Sequence, residues 1–464
     1  MKIDKSAGTT DSERALASLC ERSFLGFWSY ANLFRDQGGG KELVDLVVVC
    51  GEHIILFSDK SCDFPETGDD KRDWARWYRR AVGGSAKQIA GAERWIRRFP
   101  DRIFMDARCT LKFPLPLPST DQCKFHRVVV ALGAADRCKA AMSTKNGSLY
   151  WTPSIVGDEH WNVTQHDVRP FHIGQTDDST SVLHVLNDFT LPLLLSELDT
   201  ITDFVDYLEF KEQLFRTINI GTVAGEENLL SFYLSGFLNT DYWDRLKKEA
   251  TGNFCLDIGS AAWEEYENSI TYHERKYALQ YSRIWDGIVN EFATHSFGGT
   301  LIEGPKPVAD NEYFFRHMAK ESRIARGFLT ALMLERWSFS AGDRVHYRIA
   351  ESPSNAKLLY VFVFVPNLCQ SESEYREIRQ EYLTNYCFLV GRKNSNFELV
   401  LGIATQVGND MHRTFDVFGI ENGPISSEMH SILDEVEVEL GVNGEGTIHR
   451  INSATDGVSP ARNQ

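Results

Sequence analysis

Two apolar runs joined by a two-residue turn constrain the fold of this chain more than any other feature. Residues 43–50 and 53–59 are rich in Val, Ile and Leu, and only Gly51 and Glu52 separate them. Short β-branched runs on either side of a glycine-containing dipeptide predict a tight β-hairpin. Since both faces of each run are apolar, we expect helices to cover the two strands on both sides.

Charged residues gather at one end of this hairpin. If residue 50 pairs with residue 53, Asp45 lies opposite Ser58. Because side chains alternate along a strand, Asp45, Ser58 and Lys60 then share one face while Asp59 points to the other. Burying an unpaired charge is costly. These residues therefore indicate either a functional site or a solvated strand end, where an Asp45–Lys60 ion pair contributes about 0.2–1 kcal/mol.

The segments around the hairpin complete an α/β unit. The predicted helices are 12–35, 73–82 and 85–99, and the predicted further strands are 102–106 and 126–133. Gly83-Gly84 is expected to break the chain between the second and third helices. The sequence therefore predicts an α/β N-terminal sandwich, in which helices flank a mixed sheet, and we assign it to residues 1–190.

Three further regions follow this sandwich. A strong amphipathic helix at residues 191–216 begins a mostly helical middle region, for which we expect a domain over 191–340. Apolar strand-like runs around a helix at 373–387 predict a small α+β C-terminal domain over 341–442. The polar residues 443–464 are expected to form a flexible tail.

Composition excludes several classes of protein. The net charge of -16 argues against a protein that coats nucleic acid through its overall field. No run approaches the roughly 20 apolar residues that span a bilayer, and the amino terminus has no apolar signal segment. Nine scattered cysteines, with no Cys-x-x-Cys pair, fit a reducing compartment. We therefore expect a cytoplasmic protein without a membrane partner.

Two weaker patterns are interpreted as structural. Cys123, His126 and Cys138 have metal-like spacing, but His126 opens an apolar strand and no fourth ligand is near it in sequence. Three tryptophans at helical spacing are more typical of a core than of a base-stacking surface: Trp74, Trp77 and Trp95. We assign both sets to the core.

The charged end of the hairpin resembles the PD-(D/E)xK nuclease superfamily, in which an aspartate on one strand and an acid-x-lysine on the next hold a divalent metal and a water against a phosphodiester. Asp45 matches the aspartate and Lys60 the lysine, whereas Ser58 stands where the second acid belongs. A β-bulge at Ser58 or Asp59 would turn Asp59 onto the site face. The resemblance implies that Asp45 and Asp59 bind Mg2+ or Mn2+, and that Lys60 orients the water or offsets phosphate charge.

Two more positions extend this resemblance. Many members carry a glutamate on the first helix, which Glu21 matches, and some carry a glutamine on the helix after the lysine strand, which Gln88 matches. The resemblance implies that both residues join the catalytic set, although a solvated helix acid is the alternative for Glu21. The matches cover residues 12–132. The rest of the chain is similar to uncharacterised bacterial proteins that join such a domain to a long carboxy-terminal part, some of them tied to defence against phage.

A basic stretch follows the hairpin inside an otherwise acidic chain. Residues 71–102 contain ten Lys or Arg and three Asp or Glu. We expect six arginines there to contact nucleic-acid phosphates, the first three on one helical face and the last three on another. They are Arg76, Arg79, Arg80, Arg94, Arg97 and Arg98. A solvated basic helix face is the alternative interpretation.

These features predict a cytoplasmic Mg2+- or Mn2+-dependent endonuclease that acts on nucleic acid, with DNA favoured over RNA, and the resemblance implies a role as a bacterial defence effector. The alternative is a catalytically inactive nuclease-fold protein that binds nucleic acid or protein, for which Ser58 is the main indication. The carboxy-terminal half is expected to contact a protein partner or to self-assemble. Asp45 and Asp59 carboxylates close to one point favour the enzyme, because two adjacent acids fit a shared cation.

Overall fold

The structure is a computed structural model. It describes residues 4–119, 121–176, 182–236, 255–298, 308–337, 344–369, 371–407, 414–441 and 446–451. In these ranges the chain is a mixed α/β protein with three mixed sheets. It divides into two compact units: the first contains Met1–Lys276 and Phe292–Glu312, and the second contains Tyr277–Glu291 and Tyr313–Gln464.

The first unit contains the sheet that carries the hairpin. Its strands are β1 (Ser29–Arg35), β2 (Lys41–Cys50), β3 (His53–Ser61), β4 (Ile103–Phe104), β5 (Lys124–Leu132) and β8 (Leu183–Leu186). They are ordered β4-β1-β2-β3-β5-β8. Strands β1, β2 and β3 are antiparallel neighbours, whereas β3, β5 and β8 are parallel. Helix α1 (Asp11–Phe24) packs on β1, β2 and β3, and α2 (Asp70–Arg98) packs on β2, β3 and β5. The expected mixed sheet flanked by helices is therefore confirmed.

The hairpin closes as predicted. Cys50 pairs with His53 and Leu46 with Phe57, and continuing this register places Asp45 opposite Ser58. Gly51 in the turn has a φ of 59°, which glycine adopts without the steric cost that a Cβ would add. The interior of both strands is buried, which explains why the two runs are apolar on both faces.

The helix after the hairpin is one element, which corrects the prediction of two helices broken at Gly83-Gly84. Helix α2 runs unbroken for 29 residues. Trp74 and Trp77 are 0% exposed and Trp95 is 7% exposed, so the tryptophans are core residues as interpreted. Packing of this long apolar stripe outweighs the helix-propensity cost of about 1 kcal/mol for each glycine.

A second, four-stranded sheet belongs to the same unit. Its strands are β6 (Tyr150–Val156), β7 (His172–Gln175), β9 (Ile220–Val223) and β10 (Leu256–Ile258), in the order β10-β9-β6-β7. The helical elements in this part of the chain are α3 (Ala135–Met142), a 3-10 turn (Gly157–His160), α4 (Thr190–Glu197), α5 (Ile201–Thr217) and α6 (Glu226–Gly236). Because β9 pairs with β6 and β10 with β9, backbone hydrogen bonds tie the chain beyond residue 190 to the first unit. The first unit therefore continues past residue 190.

In the described part of the chain, five more helices precede the third sheet. They are α7 (Ala262–Glu267), α8 (Ile270–Ala278), α9 (Arg283–Gly298), α10 (Val308–Ala319) and α11 (Arg323–Trp337). Among the described residues, no helix combines the length and the apolar character that crossing a bilayer requires.

The third sheet belongs to the second unit. Its strands are β11 (His346–Ser352), β12 (Asn355–Val365), β13 (Leu399–Gln406), β14 (Phe415–Glu421) and β15 (Ile448–His449), in the order β14-β13-β12-β11-β15. Helix α12 (Glu372–Lys393) packs on β12, β13 and β14, and α13 (Ser427–Leu440) packs on α12. Ile448 pairs with Ile349, so part of the segment expected to be a flexible tail forms a strand. Residues 443–445 and 452–464 of that segment lie outside the described residues.

Candidate functional site

Asp45 is the centre of a buried hydrogen-bond network at the end of the hairpin. Its side chain is 2% exposed. Gln88 Nε2 on α2 donates to Asp45 Oδ1 at 3.1 Å, and the backbone N–H of Asp59 donates to Oδ2 at 2.6 Å. The Ser58 hydroxyl lies 3.1 Å from the same Oδ2 and 2.9 Å from Gln88 Oε1. Lys60 Nζ lies 3.7 Å from Oδ2. Of the predicted site residues, the structure thus brings together Asp45, Lys60 and Gln88.

This arrangement satisfies the carboxylate without a metal ion. Both Asp45 oxygens accept hydrogen bonds, and the Lys60 ammonium, whose side chain is 38% exposed, compensates the charge. Buried polar and charged groups are normally hydrogen-bonded or paired, and Asp45 meets both conditions. A cation at Asp45 would therefore share the carboxylate with donors that are already in place.

The carboxylate of Asp59 lies on the other face of the sheet, which corrects the expected rearrangement. Strand β3 pairs with β5 without a register shift from His53 to Ser61, so no β-bulge turns Asp59 toward Gln88. Asp59 instead approaches Ser12 on α1. Because side chains of an unbroken strand alternate, Asp45 and Asp59 do not share the face expected of two metal ligands.

The Asp59 side chain is buried in an unfavourable setting for a charge. It is 5% exposed, and neither carboxylate oxygen has a hydrogen-bond partner of regular geometry. Burial raises the pKa of Asp59; the nearby Ser12 hydroxyl and Lys60 oppose the rise, and the charges of Asp45 and Glu13 add to it. In an unfolded chain an aspartate titrates near about 3.9. The folded protein therefore holds a proton on Asp59 to higher pH than the unfolded chain does.

We predict that Asp59→Asn makes the stability of the protein less dependent on pH. Because the folded pKa is raised, wild type loses stability as pH rises from about 4 through the folded pKa of Asp59. The asparagine variant has no carboxylate to ionise, so its stability relative to wild type should increase between about pH 4 and pH 7. Thermal unfolding across this range measures the effect. Asp63→Asn, at an exposed position, is the matched control, and a relative stability of Asp59→Asn that stays constant with pH would contradict the assignment.

Two other acids share the α1 face with Asp59. The Asn32 amide donates to Glu13 Oε2 at 3.0 Å and to Glu42 Oε1 at 2.7 Å. Burial raises the pKa of Glu42, opposed by its bond from Asn32. Burial also acts to raise the pKa of Glu13, but hydrogen bonds from Thr9, Asn32 and Thr10 prevail and lower it to about 2. The acid that α1 contributes near Asp59 is therefore Glu13.

Glu21 does not join the predicted catalytic set. It lies on the exposed side of α1, and its charge acts on Lys5 and Cys20. Glu21 follows Glu13 by eight residues, which is about 12 Å along a helix axis. The alternative interpretation of Glu21, a solvated helix acid, fits this position.

The six predicted phosphate-binding arginines lie on one face of α2, which corrects the expectation of two separate faces. All six are exposed: Arg76, Arg79, Arg80, Arg94, Arg97 and Arg98. In a continuous helix of 3.6 residues per turn, their positions fall on the side away from Gln88. The arginines therefore form a basic stripe, defined by these six residues, that does not surround Asp45.

Some members of the basic stripe also make local contacts. Arg97 Nε lies 2.9 Å from Glu93 Oε1, Arg80 donates to the Asp63 carbonyl at 3.0 Å, and Arg79 donates to the Ala75 carbonyl at 3.2 Å. Each of these guanidinium groups has further N–H donors. The contacts orient the side chains without consuming their capacity to bind phosphate.

The structure brings together one set of candidate metal ligands that the sequence analysis did not identify. Within the described ranges, one group of three His, Cys, Asp or Glu side chains brings its ligand atoms within 4.8 Å of one another, and it consists of His53, His126 and Glu209. His126 does not assemble with Cys138, whose thiol donates to the Ser148 carbonyl. A histidine beside the hairpin turn and another at the start of a strand were visible signals, but only the pairing of β3 with β5 brings them together.

Comparison with known proteins adds no relative: no family model, no curated protein and no solved structure matches this chain.

Proposed function

We propose that the first unit is a nucleic-acid-binding module built on a nuclease-like sheet, in which Asp45 holds the sheet and α2 together instead of binding a catalytic metal. The observation that carries this proposal is the occupied Asp45 carboxylate, with Gln88, Ser58 and the Asp59 N–H as its neighbours and Lys60 at 3.7 Å. Asp59, the second acid of the predicted metal pair, faces the opposite side of the sheet. Two hard oxygen ligands for Mg2+ are therefore not presented on one face.

The basic stripe supports nucleic acid as the ligand. A helix of 29 residues is about 43 Å long, and its exposed arginines lie in two groups, at 76–80 and 94–98, whose centres are about 27 Å apart. Duplex DNA carries one charge per about 1.7 Å of axis, so a straight basic stripe can meet several phosphates at once. Such contacts position the protein without reading sequence. We propose duplex DNA in preference to RNA as the ligand.

A metal-dependent endonuclease of bacterial defence is the second candidate. Lys60 and Gln88 do converge on Asp45, and Asp59 is a buried carboxylate without a regular hydrogen-bond partner. A bound Mg2+ or Mn2+ would polarise the phosphate and lower the pKa of a water. In that reading Lys60 orients the water or offsets charge on the phosphoryl oxygens. The candidate requires Asp59 to turn toward Asp45 when substrate binds.

We expect the purified full chain to bind plasmid and linear duplex DNA equally well in Mg2+, Mn2+ and EDTA, and to leave the plasmid uncut in all three. Phosphate contacts from arginine require no divalent ion, and the predicted metal pair is split between two faces. Electrophoretic mobility shift and plasmid nicking assays on the same samples measure both outcomes. Single-stranded DNA and RNA of equal length provide the comparison of ligand classes.

Two variants distinguish the two candidate functions. They are Lys60→Ala and its control Lys41→Ala, which lies at an exposed position of β2. Cutting that needs Mg2+ or Mn2+, disappears in Lys60→Ala and persists in Lys41→Ala would establish the endonuclease. Absence of a shift with every nucleic acid would reject both candidates.

A contact of the second unit with a protein partner, or with a second copy of the chain, stays a proposal. Helix α13 buries only Leu433, and its Val438 is 82% exposed and its Ile432 48% exposed. Exposed apolar side chains on one helix are compatible with a protein contact.

A further inference from the structure

Two histidines and a glutamate meet at the end of the first sheet opposite to Asp59. His53 begins β3, His126 lies in β5, and Glu209 lies on α5. His53 Nδ1 is 3.0 Å from His126 Nε2, the two rings are stacked, and the ligand atoms of all three residues lie within 4.8 Å of one another. His53 precedes Asp59 by six residues, which is about 20 Å along a strand. The cluster is therefore separate from the network around Asp45.

The donor set and its spacing match a transition-metal site. Zn2+ bonds imidazole nitrogen at about 2.0–2.1 Å, so neighbouring ligand atoms of a tetrahedral site are about 3.3 Å apart. The two histidine nitrogens are already close to that separation. Glu209 has a flexible side chain that is 42% exposed, so it can close the remaining gap by rotation. A plain histidine–histidine hydrogen bond is the alternative explanation of the 3.0 Å contact.

We propose that His53, His126 and Glu209 form a site for a divalent transition metal, with Zn2+ as the best fit to two imidazoles and one carboxylate. This inference goes beyond the proposed function and does not depend on it. Three protein ligands leave a fourth position for water. The bound ion would cross-link β3, β5 and α5, three elements that are far apart in sequence.

Two features indicate an exchangeable ion and not a permanently bound one. Lys124 Nζ lies 3.2 Å from Glu209 Oε1 and competes with the cation for that carboxylate. His126 Nδ1 is buried without a hydrogen-bond partner among the described residues, whereas a ligating histidine normally donates its second N–H to an acceptor. Loss of such a partner typically weakens metal binding by about 10–100-fold. The site therefore responds to the metal concentration around it.

Metal binding to the chelator-treated full chain tests the proposal. We expect Co2+ to bind one ion per chain with the visible absorption of tetrahedral nitrogen–oxygen coordination, and Zn2+ to displace it. His53→Gln and Glu209→Gln should each weaken Co2+ binding roughly tenfold or more. The matched controls are His166→Gln and Glu264→Gln, which change a histidine and a glutamate in ion pairs elsewhere in the first unit, and both should bind Co2+ as wild type does.

Thermal unfolding gives a second, independent readout. Zn2+ should raise the unfolding temperature of wild type and of both controls, because an ion that binds only the folded state stabilises it. The two site variants should match metal-free wild type in the absence of Zn2+ and gain little when it is added. Equal Co2+ affinity in wild type and in both site variants would overturn the proposal, as would wild type that binds neither Co2+ nor Zn2+.

Discussion

Replacement of Arg76, Arg80, Arg94 and Arg98 by alanine is expected to weaken duplex DNA binding by about three orders of magnitude near 0.1 M salt. These four residues lie on the exposed side of α2. Each phosphate contact to duplex DNA releases about 0.9 counterions, so four contacts make log K fall against log salt with a slope of about -3.6. Removing the four side chains should therefore remove both the affinity and the salt dependence that these four contacts contribute.

Fluorescence anisotropy of a labelled duplex over a series of salt concentrations measures both quantities. The smaller change of Arg79 and Arg80 alone to alanine should make the slope shallower by up to about 2. A control variant removes four exposed basic side chains from other surfaces: Lys139, Lys145, Arg344 and Lys357. It lowers the net charge equally, so a similar loss of affinity in the control would assign the effect to overall charge and reject the basic stripe as the binding surface.

Asp45→Ala is expected to lower the stability of the first unit by about 3 kcal/mol. The change leaves the Gln88 amide and the Asp59 N–H without their acceptor in a buried place, and it removes the anion beside Lys60. Each unsatisfied buried donor costs about 1–3 kcal/mol. For a unit of roughly 300 residues, at about 2.1 cal/mol/K of unfolding entropy per residue, the loss corresponds to a decrease of about 5 °C in the unfolding temperature.

Calorimetry of the full chain measures this decrease, since the two units can unfold in separate transitions. Asp121→Ala removes an aspartate from an exposed position and should change the unfolding temperature little. The decrease in unfolding temperature should be smaller for Asp45→Asn and Asp45→Gln, whose side-chain carbonyl still accepts hydrogen bonds, than for Asp45→Ala, whose side chain accepts none. An Asp45→Ala protein that unfolds like wild type but loses Mg2+-dependent cutting would instead identify Asp45 as a catalytic metal ligand.

Local patterns were sufficient to predict the hairpin and part of its charged end. The turn at Gly51 and the alternation of side chains fix which residues share a face, and both depend only on neighbours in sequence. This is why the grouping of Asp45, Ser58 and Lys60 follows from the sequence. Gln88 reaches Asp45 because the helix after β3 covers the same face.

Features that depend on packing were not predictable in the same way. Gly83 and Gly84 normally favour a break, but the buried tryptophans before and after them continue one helix across the sheet. The prediction of a β-bulge at Ser58 or Asp59 was wrong because β5 pairs with every residue of β3, and that parallel partner lies more than 60 residues further along the chain. The same non-local pairing brings His53 to His126, which no local pattern indicates.

The distance between the turn and the charged residues of β3 has a consequence for how this protein can evolve. Ser58 and Asp59 are neighbours in sequence and face opposite sides of the sheet, because β3 is an unbroken strand. Inserting one residue between the turn and Ser58 would exchange the two sides, so that Asp59 takes the place of Lys60 on the face of Gln88 and Asp45 and Lys60 moves to the other face. A single-codon insertion is thus one mutational path from a binding module to two carboxylates on one face of this sheet, whereas Ser58→Asp places the second carboxylate opposite Asp45 and keeps Lys60 where it is.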